Sequence, residues 1–174
     1  MMTKTPLSKY DDIIDSRDII ERIEEFEAEQ EGQQECVAQL FRDLDEDFAA
    51  DITAGRSDPG QCLLCVSDLP EEDREDATVS IQEWREWEEN EGAELDTLRE
   101  LAAEAEGSSD WQYGETLIRD TYFKDYAQEL AEDCGLEQSN SWPQRCIDWD
   151  QAADELQMDY FSVEFDGITY WIRA

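Results

Sequence analysis

Carboxylates are the chemically active side chains that this sequence offers in quantity. Its 174 residues include 48 Asp and Glu but only 13 Lys and Arg and no His, which gives a formal net charge of −35 at pH 7. Without histidine, the Ser-His and Cys-His pairs that activate nucleophiles cannot be assembled, nor can a metal site that uses imidazole. We therefore predict that the protein is not an enzyme and has no catalytic residues.

Motifs with metal-ligand or redox spacing are present but incomplete. Cys62 and Cys65 have the spacing of half a zinc knuckle or of a redox pair, yet no second cysteine pair follows at comparable spacing. The run Asp43, Asp45, Asp47 begins like a calcium-binding loop but lacks the Gly at the sixth position and the Glu at the twelfth. We predict no metal site and no cofactor. The five cysteines are odd in number and irregularly spaced, which is typical of reduced thiols in a cytoplasm.

The charge itself indicates the kind of partner. A chain this anionic repels nucleic acid and anionic membranes, and it attracts proteins whose surfaces are built to hold phosphates. Hydrophobic residues make up 40% of the chain, so we expect a packed core instead of a disordered polyanion. No apolar run approaches the roughly 20 residues needed to cross a bilayer, and we predict a cytoplasmic protein that contacts neither membrane nor nucleic acid directly. Adaptation to high salt is a competing explanation of the acidic surface, although it would not favour six Trp and five Cys.

Hydrophobic periodicity predicts a mainly helical α+β fold in three parts. Residues 1–54 are expected to begin with a loose leader over the first dozen residues and then to form an acidic helical arm of two amphipathic helices, with a break or kink at Gly32. Residues 55–79 are rich in turn-forming residues and are predicted to be a linker. Residues 80–174 are predicted to be a helical domain that closes with a small antiparallel β-hairpin.

Local signals divide the C-terminal part into elements. Helical spacing predicts one helix from Ile81 to near Gly107 and a second from about Leu117, closed by Gly135. Asp148 can cap a third, shorter helix. The period then changes to two on either side of Asp166-Gly167, and an Asp-Gly pair between alternating runs is the strongest short-range signal for a hairpin.

Acidic residues are dense enough along two of these helices to imitate DNA. Duplex DNA carries one negative charge per roughly 1.7 Å of axis, whereas a helix with an acid at every second or third position carries one per roughly 3–4.5 Å, so two adjacent acidic helices approach the density of a duplex. Arg donates paired hydrogen bonds to carboxylates much as it does to phosphates. An ordinary solvated face mixes both signs of charge, while these helices stack like charges at destabilising spacing. The predicted partner-binding, phosphate-mimicking residues are Glu83, Glu86, Glu88, Glu89, Glu91, Glu94, Asp96, Glu100, Asp120, Asp125, Glu129, Glu132 and Asp133.

Three segments near the C-terminus resemble the C-terminal part of ArdA-type antirestriction proteins. In that family an acidic helix with an F/Y-x-x-Y/F-A character precedes an I-D-Y/W-x-x-x-A-x-x-L helix and a closing hairpin with an F-D-G turn. The corresponding segments here are 122–134, 146–156 and 163–170, and the resemblance covers residues 117–174, about a third of the chain. The matching positions are Tyr126, Ala127, Asp133, Ile147, Asp148, Trp149, Ala152, Leu156, Phe165, Asp166 and Gly167.

The resemblance implies a protein of a phage or mobile element that imitates bent DNA and occupies the DNA groove of type I restriction enzymes, often as a dimer. It does not distinguish restriction from CRISPR machinery. The expected partner is therefore a basic DNA-binding protein or defence complex of the host, and a homodimer is allowed. The alternative is an acidic adaptor or chaperone-like protein that binds a basic host protein through the apolar stripe of residues 16–54 as well as through charge.

Overall fold

A computed structural model describes residues 7–43, 45–64, 66–136, 142 and 144–174 of the chain. Leu44, whose helical spacing predicts a core position, and Cys65 of the cysteine pair lie outside the described residues. The protein is mainly helical with a small four-stranded antiparallel sheet, which confirms the predicted α+β fold. No helix in the described ranges combines the length and the apolar character needed to cross a membrane.

The elements follow one another in a mostly helical order. The strands are β1 (Ile13–Asp15), β2 (Thr116–Arg119), β3 (Tyr160–Phe165) and β4 (Ile168–Arg173). The α-helices are α1 (Ser16–Phe41), α2 (Glu46–Thr53), α3 (Arg74–Trp87), α4 (Ala93–Ala105), α5 (Trp111–Gly114), α6 (Phe123–Asp133) and α7 (Trp149–Gln157). A π-helix, Glu88–Gly92, joins α3 to α4, and 3-10 helices cover Pro59–Leu64, Val66–Asp68, Asp120–Tyr122 and Gln144–Cys146.

The sheet has the strand order β1-β2-β4-β3, and every pairing is antiparallel. The hairpin of β3 and β4 is in register with Val163 opposite Tyr170 and Phe165 opposite Ile168. Its turn places both Asp166 and Gly167 at positive φ, 47° and 76°, as a tight turn matched to strand twist requires. The hairpin prediction is confirmed.

The chain divides into two compact units, one formed by residues 1–21 with 97–174 and the other by residues 22–96. This grouping differs from the predicted division into 1–54, 55–79 and 80–174. The reason lies in burial: Leu69 and Ala77, from the segment expected to be a linker, belong to the core of the second unit. That core consists of Val37, Ala38, Phe41, Ala49, Ile52, Leu69, Ala77 and Ile81.

The break predicted at Gly32 is wrong. α1 runs without interruption through Gly32, because a single glycine costs a helix only about 1 kcal/mol and packing at both ends outweighs that cost. Residues 7–12, predicted to belong to a loose leader, contain no helix or strand, and they are followed by β1 with the buried Ile14, a strand that the sequence analysis did not predict. The Tyr170 hydroxyl lies 2.9 Å from the carbonyl oxygen of Lys9 and 2.7 Å from that of Asp11, so it joins this segment to β4.

The helix predicted from about Leu117 is also corrected. Residues Thr116–Arg119 form β2, in which Leu117 and Ile118 are fully buried between β1 and β4, and α6 begins only at Phe123. Gly135 follows that helix at a φ of 98°, which confirms it as the residue that closes α6. Asp148 caps α7 by accepting hydrogen bonds from the amides of Asp150 and Gln151, also as predicted.

An aromatic cluster fills the space between the sheet and helices α6 and α7. Phe123, Ala127, Ala153 and Ile118 are buried, and the rings of Phe123 and Tyr160 meet edge to face with centroids 5.1 Å apart. The hydroxyls of Tyr126 and Tyr160 are 3.2 Å apart. Burial and this hydrogen bond raise the pKa of Tyr160 far above its ordinary value, so its hydroxyl remains a hydrogen-bond donor at all physiological pH.

Candidate functional site

α1 runs antiparallel to the helical segment made of α3, the π-helix and α4. Three side-chain contacts fix the register: Arg22 Nε to Glu94 Oε1 at 3.5 Å, Trp87 Nε1 to Glu29 Oε2 at 3.3 Å, and Cys36 Sγ to Ser80 Oγ at 3.9 Å. From one contact to the next, the residue number rises by seven along α1 and falls by seven along the facing segment. Residues 22–36 and 80–94 therefore lie side by side in opposite directions, and we call them the acidic helix pair.

Buried apolar residues explain why these two segments associate. Phe26 in α1 and Trp84 and Trp87 in the facing segment are buried, as are Val37 and Leu95, which directly follow the two segments. Burial of apolar surface between helices stabilises their pairing. Near the centre of the pair, the indole of the buried Trp87 donates a hydrogen bond to Glu29. Packing thus continues along the pair and is not confined to its ends.

The acidic helix pair carries negative charge at nearly the density of a duplex. It contains twelve acids and two arginines, a net charge of −10. Fifteen residues of helix are about 22 Å long, which corresponds to roughly one net charge per 2.2 Å of axis, compared with roughly 1.7 Å for B-DNA. Ten of the acids are exposed, and Glu35 and Glu91 are half-buried. The twelve are Glu24, Glu25, Glu27, Glu29, Glu31, Glu35, Glu83, Glu86, Glu88, Glu89, Glu91 and Glu94.

The two arginines of the pair are used inside it. The Arg22 guanidinium lies 3.8 Å from the centroid of the Phe26 ring and forms ion pairs with Glu25 at 3.2 Å and Glu94 at 3.5 Å. Arg85 donates a hydrogen bond to the carbonyl oxygen of Gly60. Both cations therefore support the fold and project little positive charge toward a partner.

The other arginines of the unit 22–96 also bind groups within that unit. The unit contains 25 Asp and Glu but five Arg and no Lys, a net charge of −20. Arg42 pairs with Glu35 at 2.6 Å, and Arg56 pairs with Asp51 at 2.6 Å. Arg74 donates to the carbonyl oxygens of Ser67 and Leu69, both at 2.9 Å. All five arginines are thus engaged by groups of their own unit, and the surface charge left over is negative.

Glu88 is the first residue of the π-helix. Partial burial, followed by the like charges of Asp58, Asp96 and Glu89, raises the pKa of its carboxyl above the ordinary value, and Arg85 opposes the shift. A π-helical turn inside a longer helix is rare and is found often at functional sites. Here it lies within the acidic helix pair, directly after the buried Trp87.

The predicted partner-binding residues fall into both compact units. Glu83, Glu86, Glu88, Glu89, Glu91, Glu94 and Asp96 lie in the unit of residues 22–96, whereas Glu100, Asp120, Asp125, Glu129, Glu132 and Asp133 lie in the other. All are exposed except the half-buried Glu91.

Several of the six acids in the other unit have roles within the fold. Asp120 accepts a hydrogen bond from the Trp171 indole at 2.8 Å, and Glu129 accepts one from the Tyr122 hydroxyl at 2.7 Å. The contact with Glu129 raises the pKa of Tyr122 to about 12. The acidic helix pair therefore includes six of the predicted residues, Glu83, Glu86, Glu88, Glu89, Glu91 and Glu94, and none of the six that belong to the other unit.

Sequence reasoning missed the six acids that α1 contributes. Glu24, Glu27 and Glu31 are exposed on the helix that faces Glu83–Glu94, yet the sequence analysis assigned them to a separate arm. The signal that could have found them is the helical spacing of apolar residues in both segments, with Phe26 and Val37 in one and Trp84, Trp87 and Leu95 in the other. That pattern predicts partners for each other instead of independent helices.

No group of three or more His, Cys, Asp or Glu in the described ranges is arranged to hold a metal ion. The cysteines Cys36, Cys134 and Cys146 are free and exposed. No protein-family model matches the chain, and neither the curated proteins nor the solved structures include a significant match.

Proposed function

We propose that the protein is a DNA mimic that inhibits a bacterial defence complex by occupying its basic DNA-binding groove. The targets that fit are type I restriction enzymes and CRISPR effectors, in the cytoplasm of a host cell invaded by a phage or mobile element. The acidic helix pair is the surface that stands in for the DNA backbone.

The observation that carries this proposal is the charge density of the acidic helix pair. Twelve acids lie along about 22 Å of paired helix, and its two arginines are turned to intramolecular contacts. A DNA-binding groove is lined with Lys and Arg that bind phosphates spaced at roughly 1.7 Å of axis per charge. The carboxylates of the acidic helix pair have a similar spacing and can accept the same hydrogen bonds. Retaining so many like charges opposes folding, because neighbouring acids on a helix repel one another by a few tenths of a kcal/mol per pair.

The resemblance of residues 117–174 to antirestriction proteins supports the same conclusion from another part of the chain. It rests on the Phe165-Asp166-Gly167 turn, the Ile147-Asp148-Trp149 start of α7 and the acidic helix before it. The acids of α6, including Asp125 and Asp133, are accordingly proposed as a second, smaller contact surface.

An adaptor that uses the apolar stripe of residues 16–54 is less well supported. Phe26, Val37 and Phe41 of that stripe are at most 1% exposed, so they offer no surface to a partner in the folded protein. Removing residues 1–54 to test this alternative would also remove five of the eight core residues of the unit 22–96.

Competition with DNA tests the proposal. The intact protein is titrated into complexes of a fluorescent duplex with a type I restriction enzyme and, separately, with a CRISPR effector, and the anisotropy of the duplex is followed. We expect displacement from one of the two, competitive with duplex concentration, and weaker by tenfold or more when salt is raised from about 50 to 200 mM. Binding that leaves the duplex in place would support the adaptor, and no displacement from either complex would refute the proposed targets.

A further inference from the structure

An open cavity of about 560 Å³ lies in the unit of residues 22–96, and none of its lining residues belongs to the acidic helix pair. Its lining comes from the end of α1 and from the segment before α3, and consists of Gln39, Leu40, Asp43, Asp68, Leu69, Pro70 and Asp73. The volume is in the range of roughly 300–1,000 Å³ that is usual for ligand pockets. Apolar side chains and three carboxylates therefore share one concave surface.

The three carboxylates of this cavity are not neutralised by the protein itself. Among the described residues, Asp43, Asp68 and Asp73 have no side-chain hydrogen bond or ion pair, and Asp73 precedes α3 without capping it through its side chain. The neighbouring cations point elsewhere: Arg42 pairs with Glu35, and Arg74 donates to backbone carbonyl oxygens. Positive charge is available next to each end of the cavity and is not used there.

The chemistry of the lining selects the kind of cation. The carboxylates are not grouped closely enough to hold a metal ion. Leu69 is buried, and Leu40 packs partly against the core, so the cavity has an apolar wall as well as a charged one. An arginine side chain matches both, because its methylene groups cover apolar surface while its planar guanidinium donates to carboxylates.

We propose that this cavity receives an arginine-bearing segment of the basic partner, with the guanidinium among Asp43, Asp68 and Asp73 and the apolar neighbours of that arginine on Leu40 and Pro70. The inference rests on the proposed function in that it assumes a basic protein partner. It adds a specific anchoring point to a surface that otherwise attracts any cationic groove.

The test uses the acetylated heptapeptide Ser-Gly-Leu-Arg-Leu-Gly-Ser and its citrulline counterpart, which has the same shape without the charge. Each is titrated into the isotope-labelled full chain, and amide chemical shifts are recorded. We expect the arginine peptide to shift the amides of residues 39–43 and 66–73, and the citrulline peptide to shift none.

A matched pair of variants separates the cavity from general attraction. Gln39→Lys places a cation at the cavity, while Gln61→Lys places the same cation on another exposed glutamine of the same unit. We expect Gln39→Lys to weaken peptide binding at least about fivefold and Gln61→Lys to change it less than about twofold. Three outcomes would each overturn the inference: equal losses of affinity in the two variants, equal binding of the arginine and citrulline peptides, or chemical-shift changes spread over the acidic helix pair. Spermine, added at a concentration that supplies the same total positive charge, should compete less well than the peptide, and equal competition would also overturn the inference.

The titration contains no DNA-binding protein, so its failure and that of the proposed function are distinguishable. A protein that displaces duplex but does not bind the peptide keeps its proposed function and loses the anchoring cavity. A protein that binds the peptide but displaces no duplex keeps the cavity and loses the proposed function.

Discussion

Neutralising four acids of the helix pair provides the sharpest test of how the protein acts. Glu24, Glu31, Glu83 and Glu89 are exposed, two on each segment, and within the described ranges none of them forms a side-chain hydrogen bond or ion pair. Replacing all four by Gln changes the net charge of the pair from −10 to −6. The spacing of net charge then increases from roughly 2.2 to 3.7 Å of axis, well away from the duplex value of roughly 1.7 Å.

The expected loss of affinity follows from the number of contacts removed. An exposed ion pair contributes about 0.2–1 kcal/mol, so four contacts contribute about 1–4 kcal/mol, which corresponds to a roughly 5- to 700-fold weaker Kd. The assay is displacement of fluorescent duplex from the sensitive defence complex at about 0.15 M salt. Far-UV circular dichroism and Tm should show an intact fold, with a slightly higher Tm because like charges have been removed.

A control variant changes the same number of charges in the other unit. Glu106, Asp110, Asp154 and Asp159 are also exposed, and replacing them by Gln or Asn alters the net charge of the whole chain equally. At about 0.15 M salt the Debye length is about 8 Å, so this control should lose less than about threefold in affinity. If the first variant displaces duplex as well as the unmodified protein, or if the control loses as much, the acidic helix pair is not the mimicking surface.

Three further changes test the fold that supports this surface. Glu88→Gln should raise Tm at pH 7 but not near pH 4. The folded-state pKa of Glu88 lies above its ordinary value, so ionisation of this carboxyl lowers stability once the pH exceeds the ordinary pKa. Thermal unfolding of the variant and the unmodified protein at the two pH values tests this difference. Tyr170→Phe should lower the free energy of unfolding by about 1–3 kcal/mol in urea, since two carbonyl oxygens lose their donor. Burial raises the pKa of Tyr170 to about 12, so the unmodified protein should also lose stability between pH 10 and 12 to a greater extent than this variant does. Gly167→Ala should cost about 1–2 kcal/mol because its φ is 76°, whereas Gly107→Ala, at a position with open space around it, should be nearly neutral by the same measurement.

The features that the sequence predicted correctly are those set by neighbouring residues. The β3–β4 hairpin follows from alternation around Asp166-Gly167, and the start of α7 follows from a capping Asp148. Both signals act over a few residues, so they survive any tertiary arrangement.

The features that sequence reasoning missed depend on distant partners. β1 and β2 are three and four residues long, too short for a period to be recognised, and they exist because Ile14 pairs with Leu117, more than a hundred residues away. In the same way, Glu24 was predicted to lie in the arm of residues 1–54 and Glu83 in the domain of residues 80–174. The side-chain contacts between α1 and the facing helical segment, which show that the two pair, join residues far apart in the sequence. Charge and the locally determined elements were therefore predictable from the sequence, whereas the two short strands and the surface that combines the charges were not.

The contact between Arg22 and Glu94 has a topological consequence, because these residues are near the two ends of the segment 22–96. The chain therefore leaves this unit close to the point at which it enters it. Segments whose ends lie close together are the ones that tolerate insertion into another chain or relocation of the termini.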